Sequence, residues 1–165
     1  MIHVRDFINS DFDAVATIYQ QGIDTGIATF QTQCKSFGEW DASLLPECRL
    51  VAANPDNAVL GWAGLSSVSS RCVYAGVAEV TIYIAQSARG QGVGFRLLAA
   101  LVDASEKQGI WSLKAGIFPE NRASIALHEK CGFRQIGIQE KLGKLKGKWQ
   151  DVLLMERRSK TVGVD

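Results

Sequence analysis

The residues best placed to do chemistry lie in one stretch. Glu79-Val80-Thr81-Ile82-Tyr83-Ile84 runs into a short polar turn and then Arg89-Gly90-Gln91-Gly92-Val93-Gly94. Glu79 is the only acid between Gly76 and Arg89. The first run is apolar and β-branched, so it reads as a strand. A strand's two-residue period puts Glu79, Thr81 and Tyr83 on one face and Val80, Ile82 and Ile84 on the other. A carboxylate there suits a general base, or is a solvated charge at a strand start; the residues alone leave both open. After the glycines, Phe95-Arg96-Leu97-Leu98-Ala99-Ala100-Leu101-Val102 has a helical period. A glycine-rich turn at a helix N-terminus aims backbone N–H groups at one spot, which favours an anion such as a phosphate.

Two nucleotide motifs fail on this turn. No Lys-Ser or Lys-Thr follows, as a Walker P-loop requires. A dinucleotide fingerprint beginning at Gly90 or Gly92 needs its third glycine at 95 or 97, where Phe95 and Leu97 stand. What remains is [Q/R]-x-x-G-x-[G/A], as Arg89, Gly92 and Gly94. A ligand-free structural turn is the competing reading. Each glycine costs about 0.5–1 kcal/mol of backbone entropy against alanine. Close approach to a ligand explains that concentration better.

The elements that must hold this stretch can be placed in order. Ile2–Phe7 reads as a strand. Ser10 is the expected N-cap of a helix to about Gln21, with Phe12, Val15, Ile18 and Tyr19 in period. Residues 22–33 read as a loop. Ser36 and Glu39 form a capping box for a short helix stopped by Pro46. Arg49–Ala53 and Ala58–Val68 flank Asn54-Pro55-Asp56-Asn57 as a hairpin, and Gly61 and Gly64 suggest a bulge or close backbone approach. The helix after the glycine turn runs to about Lys107, with Gly109 as its C′ residue. Trp111–Phe118 is a strand, Asn121 caps a helix over Arg122–Lys130, and Cys131-Gly132-Phe133 ends it. Phe133–Gln139 is a strand, Lys141–Lys148 a basic loop, and Gln150–Glu156 the last strand. Arg157–Asp165 reads as a frayed polar tail. The order β-α-α-β-β-β-α-β-α-β-β gives one mixed α/β domain over residues 1–158, with 159–165 as a C-terminal tail.

Composition narrows the class. The chain has 165 residues, 47% hydrophobic and 21% charged, with a net charge of +1. That length can bury a core as one domain. The charge balance gives no pull toward nucleic acid or an anionic membrane. No apolar run approaches the roughly 18–20 residues of a spanning helix, and no signal peptide is read at Met1–Asp6. A cytoplasmic protein is expected. Cys34, Cys48, Cys72 and Cys131 make no CxxC, and His3 and His128 are the only histidines. Reduced thiols and no metal are expected.

With these motifs in hand, the chain resembles the GNAT acyl-CoA N-acetyltransferases, and within them the phosphinothricin and methionine sulfone/sulfoximine N-acetyltransferases. Besides Arg89–Gly94, the matching segments are Ile18-Tyr19, Thr29-Phe30, Arg71, Tyr74, Ala78–Ile84, Pro119–Ser124, Leu127–Phe133 and Gly147–Val152. The resemblance implies the GNAT fold, a central mixed β-sheet flanked by four helices, and a homodimer. It implies acetyl-CoA as donor, with pyrophosphate on Arg89, Gly90, Gln91, Gly92, Val93 and Gly94. The pantetheine arm would pair along Ile82, Tyr83 and Ile84. Asn121 and Lys130 would contact the cofactor.

Amine acetylation needs a neutral amine, an oriented thioester, an oxyanion site and a proton for the leaving thiolate. The subfamily's glutamate falls at Glu79, implying the base. Its histidine falls at His128, where many superfamily members carry a tyrosine proposed as the acid; Tyr83 is the rival donor. A backbone N–H near Ile82 would hold the thioester oxygen. Phe30, Arg71, Tyr74 and Trp149, with Thr29 and Lys148, are candidates for the acceptor pocket. Arg71 is suited to clamp a carboxylate or phosphinate. The acceptor would be phosphinothricin, methionine sulfoximine or methionine sulfone. A peptide or protein N-terminus, another amine, or a CoA-binding sensor without turnover are the alternatives.

Overall fold

A computed structural model describes all 165 residues. Seven strands form one sheet in the order β1-β2-β3-β4-β5-β7-β6. They are β1 (His3–Asp6), β2 (Leu50–Ala53), β3 (Val59–Ser67), β4 (Val77–Ile84), β5 (Ser112–Ile117), β6 (Arg134–Leu145) and β7 (Lys148–Arg158). The helices are α1 (Phe12–Asp24), α2 (Phe37–Ser43), α3 (Val93–Lys107) and α4 (Arg122–Lys130). This is the expected element order. No helix is long and apolar enough to cross a membrane.

Every neighbouring pair of strands is antiparallel except β4–β5. That pair is parallel because α3 crosses between its strands. It is short: Val77, Ala78 and Glu79 pair with Ser112, Leu113 and Lys114, and no further. Beyond Lys114, β5 follows β7, which it pairs along its whole length from Ser112 to Ile117. Beyond Glu79, β4 stays with β3, up to Ile84 opposite Gly61. The sheet therefore splits, and Glu79 stands where the two halves part.

The helices cover β4 on both faces. Tyr19 of α1 stacks on Tyr83 with ring centroids 5.0 Å apart, and Trp62 stacks on the same ring at 5.3 Å. A Cβ on Gly22 of α1 would meet the Tyr83 ring at 2.5 Å, so only glycine admits that ring here. On the other face, Ile84 and Leu97 of α3 meet over Gly61. The alternation read from the sequence holds: Tyr83 faces α1 and Ile84 faces α3. The main core joins both layers through Trp40, Trp62, Leu65, Leu97, Leu98, Leu101 and Met155.

Four expectations are corrected. The first helix is not capped by Ser10: a short 3-10 turn, Asn9–Asp11, precedes it. Asp11 accepts from Ile8 N at 2.9 Å and from both terminal nitrogens of Arg5 at 2.8 and 2.9 Å. That helix also runs on to Asp24, taking the first residues of the expected loop. Residues 141–148 are not a loop but the distal half of a β6–β7 hairpin. Its register shifts between Gln139 and Gly143, and Asp151 Oδ1 accepts from Lys141 N at 2.8 Å inside the bulge. The tail is not frayed: Ser159 is buried and its N–H donates to the Trp111 carbonyl at 2.8 Å. The Ser36–Glu39 capping box, the Asn121 cap and the left-handed Gly109 and Gly132 are as read.

Candidate active site

The split in the sheet opens into a cleft of about 1090 Å³. β4 supplies one wall, Glu79 to Ile84, and β5 supplies Lys114 to Ile117. The glycine turn and α4 form one end. The segment after α1, Thr25 to Phe30, and residues of the β6–β7 hairpin form the other.

At the first end, Gly90 and Gly92 adopt φ of +74° and +79°. Gly92 is the N-cap of α3, and no side chain accepts from the helix's first N–H groups. Those donors of a 15-residue helix are thus free to meet an anion. Nothing lies within 4 Å of where a Cβ on Gly90 or Gly92 would stand, so the left-handed backbone, not crowding, selects glycine there. Gln91 does not line the cleft; its amide donates to the Ser87 carbonyl at 2.9 Å and braces the turn. Lys130 of α4 reaches over the Phe95 ring, 5.8 Å from its centroid, beside this cradle.

The free edge of β4 follows from its register. Ala85 N donates to Leu60 O at 2.8 Å, so Ala85 points toward β3. By two-residue alternation Tyr83 and Thr81 do the same, and the N–H and C=O of Ile82 and Ile84 point into the split, where β5 no longer pairs. An extended polar chain can add to that edge as a strand would.

Glu79 opens on the cleft. Burial among the cleft walls pushes its carboxyl above the ordinary glutamate range, and the charge of Lys114 opposes the rise. Tyr83 is raised by burial, with Tyr19 adding to the rise and a hydrogen bond from Thr29 opposing it, so the phenol keeps its proton at neutral pH. His128 is 2% exposed and packs edge-on against Phe133. Its Nδ1 lies 2.7 Å from the Ser124 carbonyl oxygen. A carbonyl only accepts, so Nδ1 carries the proton and Nε2 is bare in the neutral ring. Burial lowers the His128 pKa, against the pull of the Ser124 carbonyl.

Of the residues expected in the site, Glu79, Ile82, Tyr83, Ile84, Arg89, Gly90, Gly92, Val93, Gly94, Asn121, His128, Lys130 and Phe30 line one cleft. Asn121 also caps α4, accepting from Ser124 N at 3.3 Å. Phe30 packs edge-on against Phe118 at 4.8 Å and over Gly143, tying the segment after α1 to the hairpin. Arg71, Tyr74 and Trp149 do not reach the cleft. Arg71 lies over the Tyr74 ring at 5.4 Å, and Trp149, 52% exposed, sits under Lys144. Sequence reasoning missed Lys114, Ser124, Leu127, Gln139, Leu142 and Leu154. Lys114 carried one faint signal, the only charge in the expected strand Trp111–Phe118.

A mixed sheet split at one parallel pair, with a glycine cradle at a helix N-terminus beside the split, is the GNAT acyltransferase architecture. Residues 15–133 match the model of the acetyltransferase (GNAT) family, and the chain belongs to that family. It is 31% identical to a phosphinothricin N-acetyltransferase of Streptomyces coelicolor, over 94% of this chain and 95% of that one. It is 28% identical to an L-methionine sulfoximine/L-methionine sulfone acetyltransferase of Pseudomonas aeruginosa, over 93% and 92%. Among solved structures, a phosphinothricin acetyltransferase from Sinorhizobium meliloti in complex with AcCoA superposes with a TM-score of 0.85. That pair is 28% identical, covering 99% of this chain and 96% of that one.

Proposed function

We propose that this protein transfers the acetyl group of acetyl-CoA to the α-amino group of a small amino-acid-like acceptor, by direct attack in a ternary complex. Phosphinothricin, methionine sulfoximine and methionine sulfone are the acceptors assigned. The observation that carries the reading is the position of Glu79. It stands where β4 and β5 part, between a cradle for an anion and a pocket closed by Phe30.

Acetyl-CoA supplies the activated acetyl group. The cradle fits its pyrophosphate: uncapped N–H groups of α3, left-handed glycines, and Arg89 and Lys130 alongside. The unpaired edge at Ile82 and Ile84 fits a chain of amides, and the Ile82 N–H is our candidate for the oxyanion site. Glu79 takes the proton of the attacking amine, directly or through water. Tyr83 holds a proton in the cleft, whereas His128 presents a bare Nε2, so we assign Tyr83 as donor to the leaving thiolate. His128 then orders the start of α4. Residues 1–158 act as one catalytic domain in the cytoplasm. Ile136, Ile138, Leu142 and Trp149, all exposed on the hairpin, are the face we assign to a homodimer.

The test is release of CoA thiol with a panel of amines. Glu79→Gln should lower kcat by about 10²–10⁴ while leaving acetyl-CoA binding intact. An unchanged kcat across pH would remove Glu79 as base. Saturable acetyl-CoA binding without turnover on any amine would favour a sensor. A single-protomer mass in solution would remove the dimer.

A further inference from the structure

Lys114 has no role in the chemistry above, yet it stands beside the base. It is the Cα partner of Glu79 on β4 and of Glu156 on β7, and Glu156 pairs in turn with Arg134 on β6. Ladder partners share a face of the sheet. Glu79, Lys114, Glu156 and Arg134 therefore form one row across four strands, alternating in sign. The outer pair is closed: Arg134 donates to Glu156 Oε2 through Nε at 3.0 Å and Nη2 at 2.5 Å. The inner cation is not closed. The chain has four ion pairs and Lys114 is in none of them, although it lines the cleft next to Glu79. The other basic groups of the cleft, Arg89, His128 and Lys130, belong to the glycine turn and α4. Lys114 is the one cation of that row that lines the cleft, and the one without an ion-pair partner.

Resting on the acetyl-transfer reading, we infer that Lys114 binds the acceptor's acid group, so that Glu79 and Lys114 together recognise a zwitterion. An α-amino acid carries its ammonium and carboxylate on one carbon. Adjacent strands are about 4.8 Å apart, so a carboxylate and an ammonium side by side on them can meet the two charges at once. The same contact turns the amine toward Glu79, which must accept its proton. Room for the acceptor's side chain lies further along the same face. Gly116, two residues on, projects no side chain into the cleft, which Val152, Leu154 and Phe30 line around it. Arg71 does not compete for the carboxylate, since it lies outside the cleft.

The test compares an acid with its neutral twin. KM and kcat are measured for methionine sulfone and for its carboxamide, at saturating acetyl-CoA, in wild type, Lys114→Met and Lys114→Arg. Lys114→Met should raise KM for the free acid about 10- to 100-fold and change that for the carboxamide less than about threefold. Lys114→Arg should keep much of the preference for the acid. Equal losses on acid and carboxamide would overturn the proposal and leave Lys114 as a charge that only tunes Glu79. Should Lys114→Met fail to fold, seen as loss of the acetyl-CoA thermal shift, the acid-to-carboxamide ratio in Lys114→Gln decides in the same way. Wild type inactive on every amine would instead sink the acetyl-transfer reading, and this proposal with it.

Discussion

Glu79 and His128 show opposite fates for a titratable group in the same cleft. Glu79 opens on solvent, and burial raises its carboxyl only against the nearby charge of Lys114. Its proton is therefore held more tightly than an ordinary glutamate's, and the acid limb of kcat/KM should sit above the usual carboxylate range. Lys114 is the charged group that opposes the rise, so Lys114→Met should move that limb to still higher pH. His128 is sealed in, with Nδ1–H on the Ser124 carbonyl. Its folded pKa is lowered, so between that value and the unfolded value of about 6.5 only the unfolded chain takes the proton. Stability should fall as pH drops below about 6.5, and His128→Gln should flatten that slope at a cost of about 1–3 kcal/mol from the lost bond and packing. Thermal melts across pH check both signs. Glu79 was legible in the sequence as a lone acid in an apolar run. Lys114 was not, because only the strand order brings residues 35 positions apart into one pair.

At the level of elements, the strand–turn–helix was legible because it is local. Its signals are a two-residue period, three close glycines and a 3.6-residue period, each set within a few residues. The structure adds which glycines matter. Gly92 needs φ of +79° at the head of α3, a conformation an alanine adopts only under strain. Gly92→Ala should destabilise the fold by about 1 kcal/mol or more and raise KM for acetyl-CoA, with KM for the acceptor little changed. Denaturant melts and kinetics with each substrate varied separate the two effects. Both strands of the β6–β7 hairpin are legible, and only its distal half, residues 141–148, reads as a loop, for a physical reason. Its bulge between Gln139 and Gly143 breaks the alternation that marks a strand, and its solvent-facing lysines resemble a loop. The turn itself, Lys146 and Gly147 at φ of +49° and +80°, advertises only one of its two left-handed positions with glycine.

Across the whole molecule, the split that makes the site also removes sheet pairing from the middle of the fold, and other contacts must hold the two halves. One is the single parallel pair at β4–β5. Another is the C-terminal segment, which read as loose because it is short and polar, yet closes the sheet beneath the split. Ser159 N donates to Trp111 O at the start of β5, and Arg158 reaches the carbonyls of Val162 and Gly163 at 2.9 and 2.6 Å. Ser159 Oγ donates to Glu106 of α3 at 2.8 Å and accepts from Val162 N at 3.0 Å. One buried hydroxyl thus joins β7, the tail and the helix that carries the glycine cradle. Ser159→Ala should cost about 1–2 kcal/mol, a fall in Tm of about 2–8 °C for a chain of this size. The hydroxyls of Thr161 and Ser159 hold the Glu106 carboxyl below its ordinary range. A lowered folded pKa contributes stability above the unfolded value, about 4.3, and loses it as pH falls through the folded one. The Tm gap between wild type and Ser159→Ala should therefore be widest near neutral pH and close in acid, with kcat and both KM values unchanged at neutral pH. A gap that stays constant with pH would show that Ser159 acts through packing alone, and a change in kcat would show that the tail also sets the shape of the cleft.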